Sequence, residues 1–167
     1  MYKKLKIVKV ESKYCNYLRK YDSRVPYNAG TKELRPFIGV LFRVNKLEYF
    51  APLSSPKPKH LDLKNTIDLI KISGGEYGVI NFNNMIPVDK NYVEFDLSKK
   101  YEDISKNKRI ELLNNQLRWL NENKKEIYFK SKLLYNLYKE NKLPNNVRKR
   151  CCNFILLEEK CKKYKSE

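Results

Sequence analysis

Residues 36–54 read PFIGVLFRVNKLEYFAPLS, and the way this stretch divides decides the fold. Two runs rich in aromatic and branched aliphatic side chains, PFIGVLFRV and LEYFAPLS, are joined by Asn45-Lys46. That spacing is the signature of a β-hairpin with a two-residue connection. The hairpin buries much of the core, and the rest of the chain is read outward from it.

Upstream, LKIVKV (5–10) alternates as a first strand, and SKYCNYLRKYD (12–22) switches to helical spacing, with Tyr14, Tyr17, Leu18 and Tyr21 on one face and Ser12 as N-cap. Residues 22–35, DSRVPYNAGTKELR, carry Pro, Gly and Asn at turn density and form a loop long enough to be suspected of function. Downstream, the polar stretch PKPKHLDLKNT (56–66) leads to strand-like IDLIKIS, a tight turn at GGEYG (74–78), and further strands in VINFNNMIPV (79–88) and YVEFDL (92–97). From Ser98 the period becomes helical. Ile110, Leu113, Leu117 and Leu120 form one stripe, and Leu133, Leu134, Leu137 and Tyr138 another. Asn153 caps a last helix that turns Phe154, Leu157, Cys161 and Tyr164 inward and Glu158, Glu159, Lys160, Lys162 and Lys163 to water. Strands first and helices last describe one α+β domain over residues 1–167, an antiparallel sheet covered by helices.

The 167 residues carry 36 Lys and Arg against 19 Asp and Glu, a formal charge of +17. Such an imbalance calls for a polyanionic partner, and nucleic acid is the natural one. An anionic membrane is the competitor, but the longest apolar stretch, Phe37 to Phe42, falls far short of the roughly 20 residues of a spanning helix. The N-terminal MYKKLKIVKV lacks the continuous apolar core of a signal peptide, which implies a cytoplasmic protein. Cys15, Cys151, Cys152 and Cys161 include no C-x-x-C pair and read as buried thiols.

The single histidine, His60, excludes H-x-x-x-H and H-x-E metal sites, and the acidic pairs Glu102-Asp103 and Glu158-Glu159 read as solvated helix charge. Gly74-Gly75 lacks the context of a nucleotide cradle, and no glycine elbow accompanies the serines. What survives is phosphate chemistry without metal or cofactor, centred on YFAPLSSPKPKH (49–60). Ser54 and Ser55 can donate to nonbridging phosphate oxygens, Lys57 can face the charge that builds in the transition state, and His60 can carry a proton near neutral pH. The interleaved prolines stiffen the loop. The plainer alternative is a strand end with serine capping and solvated lysines.

Five ordered segments, SKY (12–14), FIGV (37–40), FAPLSSPK (50–57), INF with MIPV (80–88) and CNFILLEEK (152–160), resemble the ToxN/AbiQ endoribonuclease toxins of type III toxin–antitoxin systems. The resemblance implies a MazF/Kid-like fold, a strongly twisted antiparallel sheet with helices packed round it. It implies metal-independent cleavage of single-stranded RNA, cellular mRNA included, leaving a 2′,3′-cyclic phosphate and a 5′-hydroxyl. It places Ser54, Ser55 and Lys57 in the active site and adds Tyr14 from SKY. Where the family often has lysine before FIG, this chain has Arg35, which does not give up its proton. Either Arg35 is an electrostatic clamp, or the base lies elsewhere, with His60 among the candidates. The implied partner is a repeat-derived RNA antitoxin that folds as a pseudoknot and closes a ring with the toxin. For the wider RNA surface the candidates are Lys13, Arg24, Lys32, Lys59, Arg118 and Arg148-Lys149-Arg150, with Tyr27 and Trp119 for stacking. A non-catalytic RNA-binding protein and a MazF-like nuclease with a protein antitoxin are the alternatives.

Overall fold

A computed structural model describes residues 2–27 and 35–164. Its elements are β1 (Lys6–Val10), α1 (Ser12–Arg19), β2 (Pro36–Gly39), β3 (Arg43–Val44), β4 (Leu47–Ser54), α2 (Pro58–Asp62), β5 (Leu69–Lys71), β6 (Val79–Asn81), β7 (Ile86–Val88), β8 (Tyr92–Glu94), α3 (Ile104–Glu122), α4 (Lys124–Lys139), α5 (Asn145–Arg150) and α6 (Phe154–Lys163). Short 3-10 segments at Ile72–Gly75 and Phe82–Asn84 join the later strands. The α+β architecture, an antiparallel sheet with helices packed on it, matches the sequence reading.

β4 organises the sheet. The strand order is β5-β6-β4-β2-β1-β8, with β3 and β7 also paired to β4. The first half of β4 pairs with β3 (Val44↔Leu47) and β7 (Phe50↔Ile86), its second half with β2 (Phe37↔Pro52) and β6 (Leu53↔Ile80). Pro52 falls where β7 has ended and β6 has only begun, so a residue without an amide N–H interrupts few ladder bonds. The hairpin turns at Asn45-Lys46, with Asn45 at φ 56°, a conformation asparagine tolerates. The run before it is broken between Gly39 and Arg43, and at Gly39 any Cβ would collide with the Phe50 ring.

Tyr14, Phe37, Tyr49, Phe50, Phe82 and Phe154 are among the fully enclosed side chains, and they lock the sheet to α1, α4 and α6. The four cysteine thiols are all buried, and burial pushes the Cys151 thiol up to about 12, which suits inert core residues.

Several local expectations are corrected. The N-cap of α1 is Glu11, not Ser12, and no side chain closes that end. Tyr21 leaves the apolar face and is exposed, and so is Leu133 on α4. Asp103 is not idle charge but the N-cap of α3, accepting from the Ser105 N–H at 2.8 Å. Asn153 caps α6 as expected. The largest correction is Glu158, read as solvent-facing and in fact buried: the hydroxyls of Tyr49 and Tyr135 both donate to its Oε2, the latter at 2.7 Å. Burial, reinforced by that carboxylate, raises both phenols above their ordinary range.

Candidate active site

The segment expected to hold a phosphate begins where β4 runs out. Ser54 is the last ladder residue, opposite Val79, and Ser55, Pro56 and Lys57 follow as an exposed turn. Pro58 then opens α2 from a position where a missing N–H costs nothing. This helix corrects the reading of the segment up to His60 as a loop alone. It is closed by reciprocal bonds: the Lys57 N–H donates to His60 Nδ1 at 3.1 Å, and the His60 N–H donates to the Lys57 carbonyl at 2.9 Å.

The turn rests on glycine. Gly75 (φ 95°) and Gly78 (φ 93°) come so close beneath it that a Cβ on Gly75 would meet the His60 carbonyl, and one on Gly78 the Ser54 carbonyl. The GGEYG segment is thus the platform for the SSPKPKH segment. Gly78→Ala combines a left-handed backbone with a clash against main chain, and we expect it to lower stability by about 2 kcal/mol or more. A thermal or urea midpoint equal to wild type would contradict that expectation.

Ser54 has a partner that sequence reasoning missed. Asn81, on the neighbouring β6, donates from Nδ2 to Ser54 Oγ at 2.8 Å, leaving the serine proton available to an incoming acceptor. Asn81 stands within the INF segment, but its place beside Ser54 follows only from the β4–β6 register. Exposed Arg35 immediately precedes β2, whose Phe37 pairs with Pro52, two residues before Ser54. Two hydroxyls, a lysine and an arginine therefore gather at one end of the sheet.

Two expected members do not join them in the open. His60 is 3 % exposed. Burial, then the charges of Lys59 and Lys57, hold its imidazole below the ordinary histidine range, so the ring is neutral at pH 7, with Nδ1 as acceptor. Tyr14 lies wholly inside the core, where its hydroxyl donates to the Pro87 carbonyl at 2.5 Å and its ring packs edge-on to Tyr164. Burial drives its phenol upward, and an enclosed, committed hydroxyl cannot touch a substrate. Among the described residues no three His, Cys, Asp or Glu side chains group as a metal site.

Residues 6–162 match the family model of the toxin ToxN of type III toxin–antitoxin systems. The chain belongs to the ToxN toxin family. Endoribonuclease ToxN of Bacillus thuringiensis subsp. kurstaki is 33% identical over 161 residues, which cover 93% of this chain and 82% of that protein. The solved structure of AbiQ, a lactococcal anti-phage endoribonuclease of the type III system, superposes with a TM-score of 0.81 at 26% identity, covering 97% of this chain and 98% of AbiQ. Another, from a type III system whose toxin is selectively inhibited by a non-coding RNA pseudoknot, gives 0.80 at 29% identity over 99% of this chain and all of that one.

In this ToxN-family chain the basic residues chosen for an RNA surface divide into two groups. Arg24 is bound to Asp22 through Nε at 2.8 Å, and Asp22 also accepts from the Asn153 N–H at 2.6 Å, so the pair clamps the loop after α1 to the start of α6. Arg150 makes two 2.9 Å bonds to Asp68. Burial penalises both carboxylates, yet the arginine bonds outweigh it and keep them below the usual range. Arg148 lies over the Tyr138 ring at 4.1 Å and donates to the Tyr138 carbonyl. These three arginines hold the fold, while Arg24 and Arg150 stay exposed beside their carboxylates. Lys13, Lys59, Arg118 and Lys149 are exposed, as is Tyr27, whose ring lies under Arg19. Trp119 is half-buried against the core, and Lys32 lies outside the described residues.

Proposed function

We propose that this ToxN-family chain is a cytoplasmic, single-domain endoribonuclease toxin that cuts single-stranded RNA by internal transesterification and is held inactive by a structured RNA. The observation that carries the reading is the Ser54–Lys57 turn, exposed from Ser55 on and braced from below by Gly75 and Gly78. Relatives named endoribonucleases support it, as does the similar toxin inhibited by an RNA pseudoknot. The lactococcal anti-phage relative extends it to phage defence.

In this mechanism the ribose 2′-oxygen bonds to phosphorus while the bond to the 5′-oxygen breaks. The 2′-hydroxyl gives up its proton, the departing 5′-oxygen gains one, and the ends are a 2′,3′-cyclic phosphate and a 5′-hydroxyl. Ser54 and Ser55 hydroxyls donate to the nonbridging oxygens, Lys57 faces the growing negative charge, and Arg35 clamps a neighbouring phosphate without exchanging a proton. The fixed donors need little rearrangement as charge develops, because the turn is built before substrate arrives.

The test is to incubate purified protein with a short single-stranded RNA in EDTA and analyse the ends. Cyclic phosphate and 5′-hydroxyl ends are expected; 5′-phosphate ends, or RNA that stays whole at every sequence tried, would refute the mechanism. A +17 protein should also bind RNA through many phosphates, so log Kd should rise steeply and linearly with log salt. Nucleic acid that copurifies should yield to ribonuclease, whereas inhibitory material that yields only to protease would point to a protein antitoxin.

A further inference from the structure

We propose that His60 is a positioning residue, which fixes Lys57 through Nδ1 and carries no proton in the reaction. The inference rests on the assignment of Lys57 to the phosphate made above. Lys57 is the residue at which extended β4 backbone gives way to α2: it has φ −134° and ψ 151°, with the helix starting at its carbonyl. Neither Pro56 nor Pro58 has an N–H to give the Lys57 carbonyl. His60 supplies both closures. Its backbone N–H satisfies the Lys57 carbonyl and its Nδ1 satisfies the Lys57 N–H. The side-chain bond is the N3 half of a capping box, with imidazole where glutamate or glutamine is usual, and the other bond is main-chain closure of the first turn.

The alternative, a histidine that passes protons, needs a nitrogen that reaches substrate or bulk water. Here Nδ1 is occupied by main chain and the residue is only 3 % exposed. The same geometry explains the lone histidine in a chain so rich in lysine. The acceptor must be neutral, since a carboxylate there would compete with the phosphate for the Lys57 ammonium.

Side-chain chemistry provides the test. Asparagine and glutamine at this third helical position each offer an amide oxygen to the Lys57 N–H, and neither exchanges a proton near neutral pH. The full chain carrying His60→Ala, His60→Asn or His60→Gln is assayed by single-turnover cleavage of a short RNA, with RNA affinity and the thermal midpoint measured alongside. We expect His60→Ala to cut about 100-fold more slowly, the scale of loss when a catalytic group shifts by about 1 Å, with RNA affinity changed less than about three-fold. His60→Gln, and with it His60→Asn, should recover most of the lost rate. If alanine abolishes folding, the two amide variants still decide, because each keeps the acceptor without the titratable ring. The proposal is overturned if both amide variants cut about 100-fold more slowly than wild type, or if all variants, alanine included, cut like wild type. In the latter case a slow Lys57→Ala would preserve the reading of the active turn, while a fully active Lys57→Ala would overturn that reading itself.

Discussion

Lys57→Ala is expected to slow RNA cleavage by about 10³-fold while weakening RNA binding only a few-fold. The lysine sits on an exposed, braced turn between two hydroxyls and a one-turn helix, where a positive charge costs no reorganisation as the phosphorus gains negative charge. A single preorganised donor of this kind contributes on the order of 10²–10³ in rate, and full charge in place of a dipole puts Lys57 at the upper end. Binding is different in kind. It is spread over many cations of a chain with formal charge +17, so the loss of one phosphate contact should reduce the salt slope by about one and leave most affinity intact. Ser55→Ala should follow with about 10²-fold. The measurement is a single-turnover rate at saturating protein, beside a binding isotherm taken at two salt concentrations. A lysine variant that loses rate and affinity in equal proportion would show that Lys57 merely binds substrate, and one that loses neither would remove the turn from the active site.

The second large effect belongs to stability. Glu158→Ala leaves the hydroxyls of Tyr49 and Tyr135 buried without their acceptor, at about 1–3 kcal/mol for each unsatisfied group, and opens a cavity between β4, α4 and α6. A loss of about 3–5 kcal/mol is expected, a large part of the 5–15 kcal/mol that folds a typical domain. Glu158→Gln keeps an amide oxygen as acceptor for the two phenols and should lose less than half as much. Urea unfolding followed by tyrosine fluorescence gives both values. An alanine variant with the wild-type midpoint would mean that the two hydroxyls find water or other partners once the carboxylate is gone.

The architecture was legible because its signals are periodic. Alternation in 36–54 and 92–97, and the 3.6-residue stripes after Ser98, survive in a single sequence, and the NK hairpin and the Asn153 cap follow from local chemistry. The largest misreading depends on partners distant in the chain. Glu158 lies on the expected water face of its helix by counting alone; two tyrosines from other elements, 109 and 23 residues away, convert that face into core. Arg150 looks like a loose cation until Asp68, 82 residues away, is seen beside it. Tyr14 entered the site through resemblance, and α1 packs it inward instead. Ser54, Ser55 and Lys57 were legible as one group because a strand end followed by two interleaved prolines leaves little freedom. Asn81 was not, because the register of two strands 27 residues apart is invisible locally.

One feature of β4 bears on how such a protein is made. The strand that ends in Ser54 carries Tyr49 five residues earlier, and that tyrosine awaits a carboxylate 109 residues downstream; β1 likewise awaits β8 through Val8↔Glu94. Contacts of such long sequence separation form late and slowly. While a ribosome is still extending the chain, the strand that ends in Ser54 has its β7 edge well before its buried acid. Full packing around Tyr49 is expected only once residue 158 has left the ribosome.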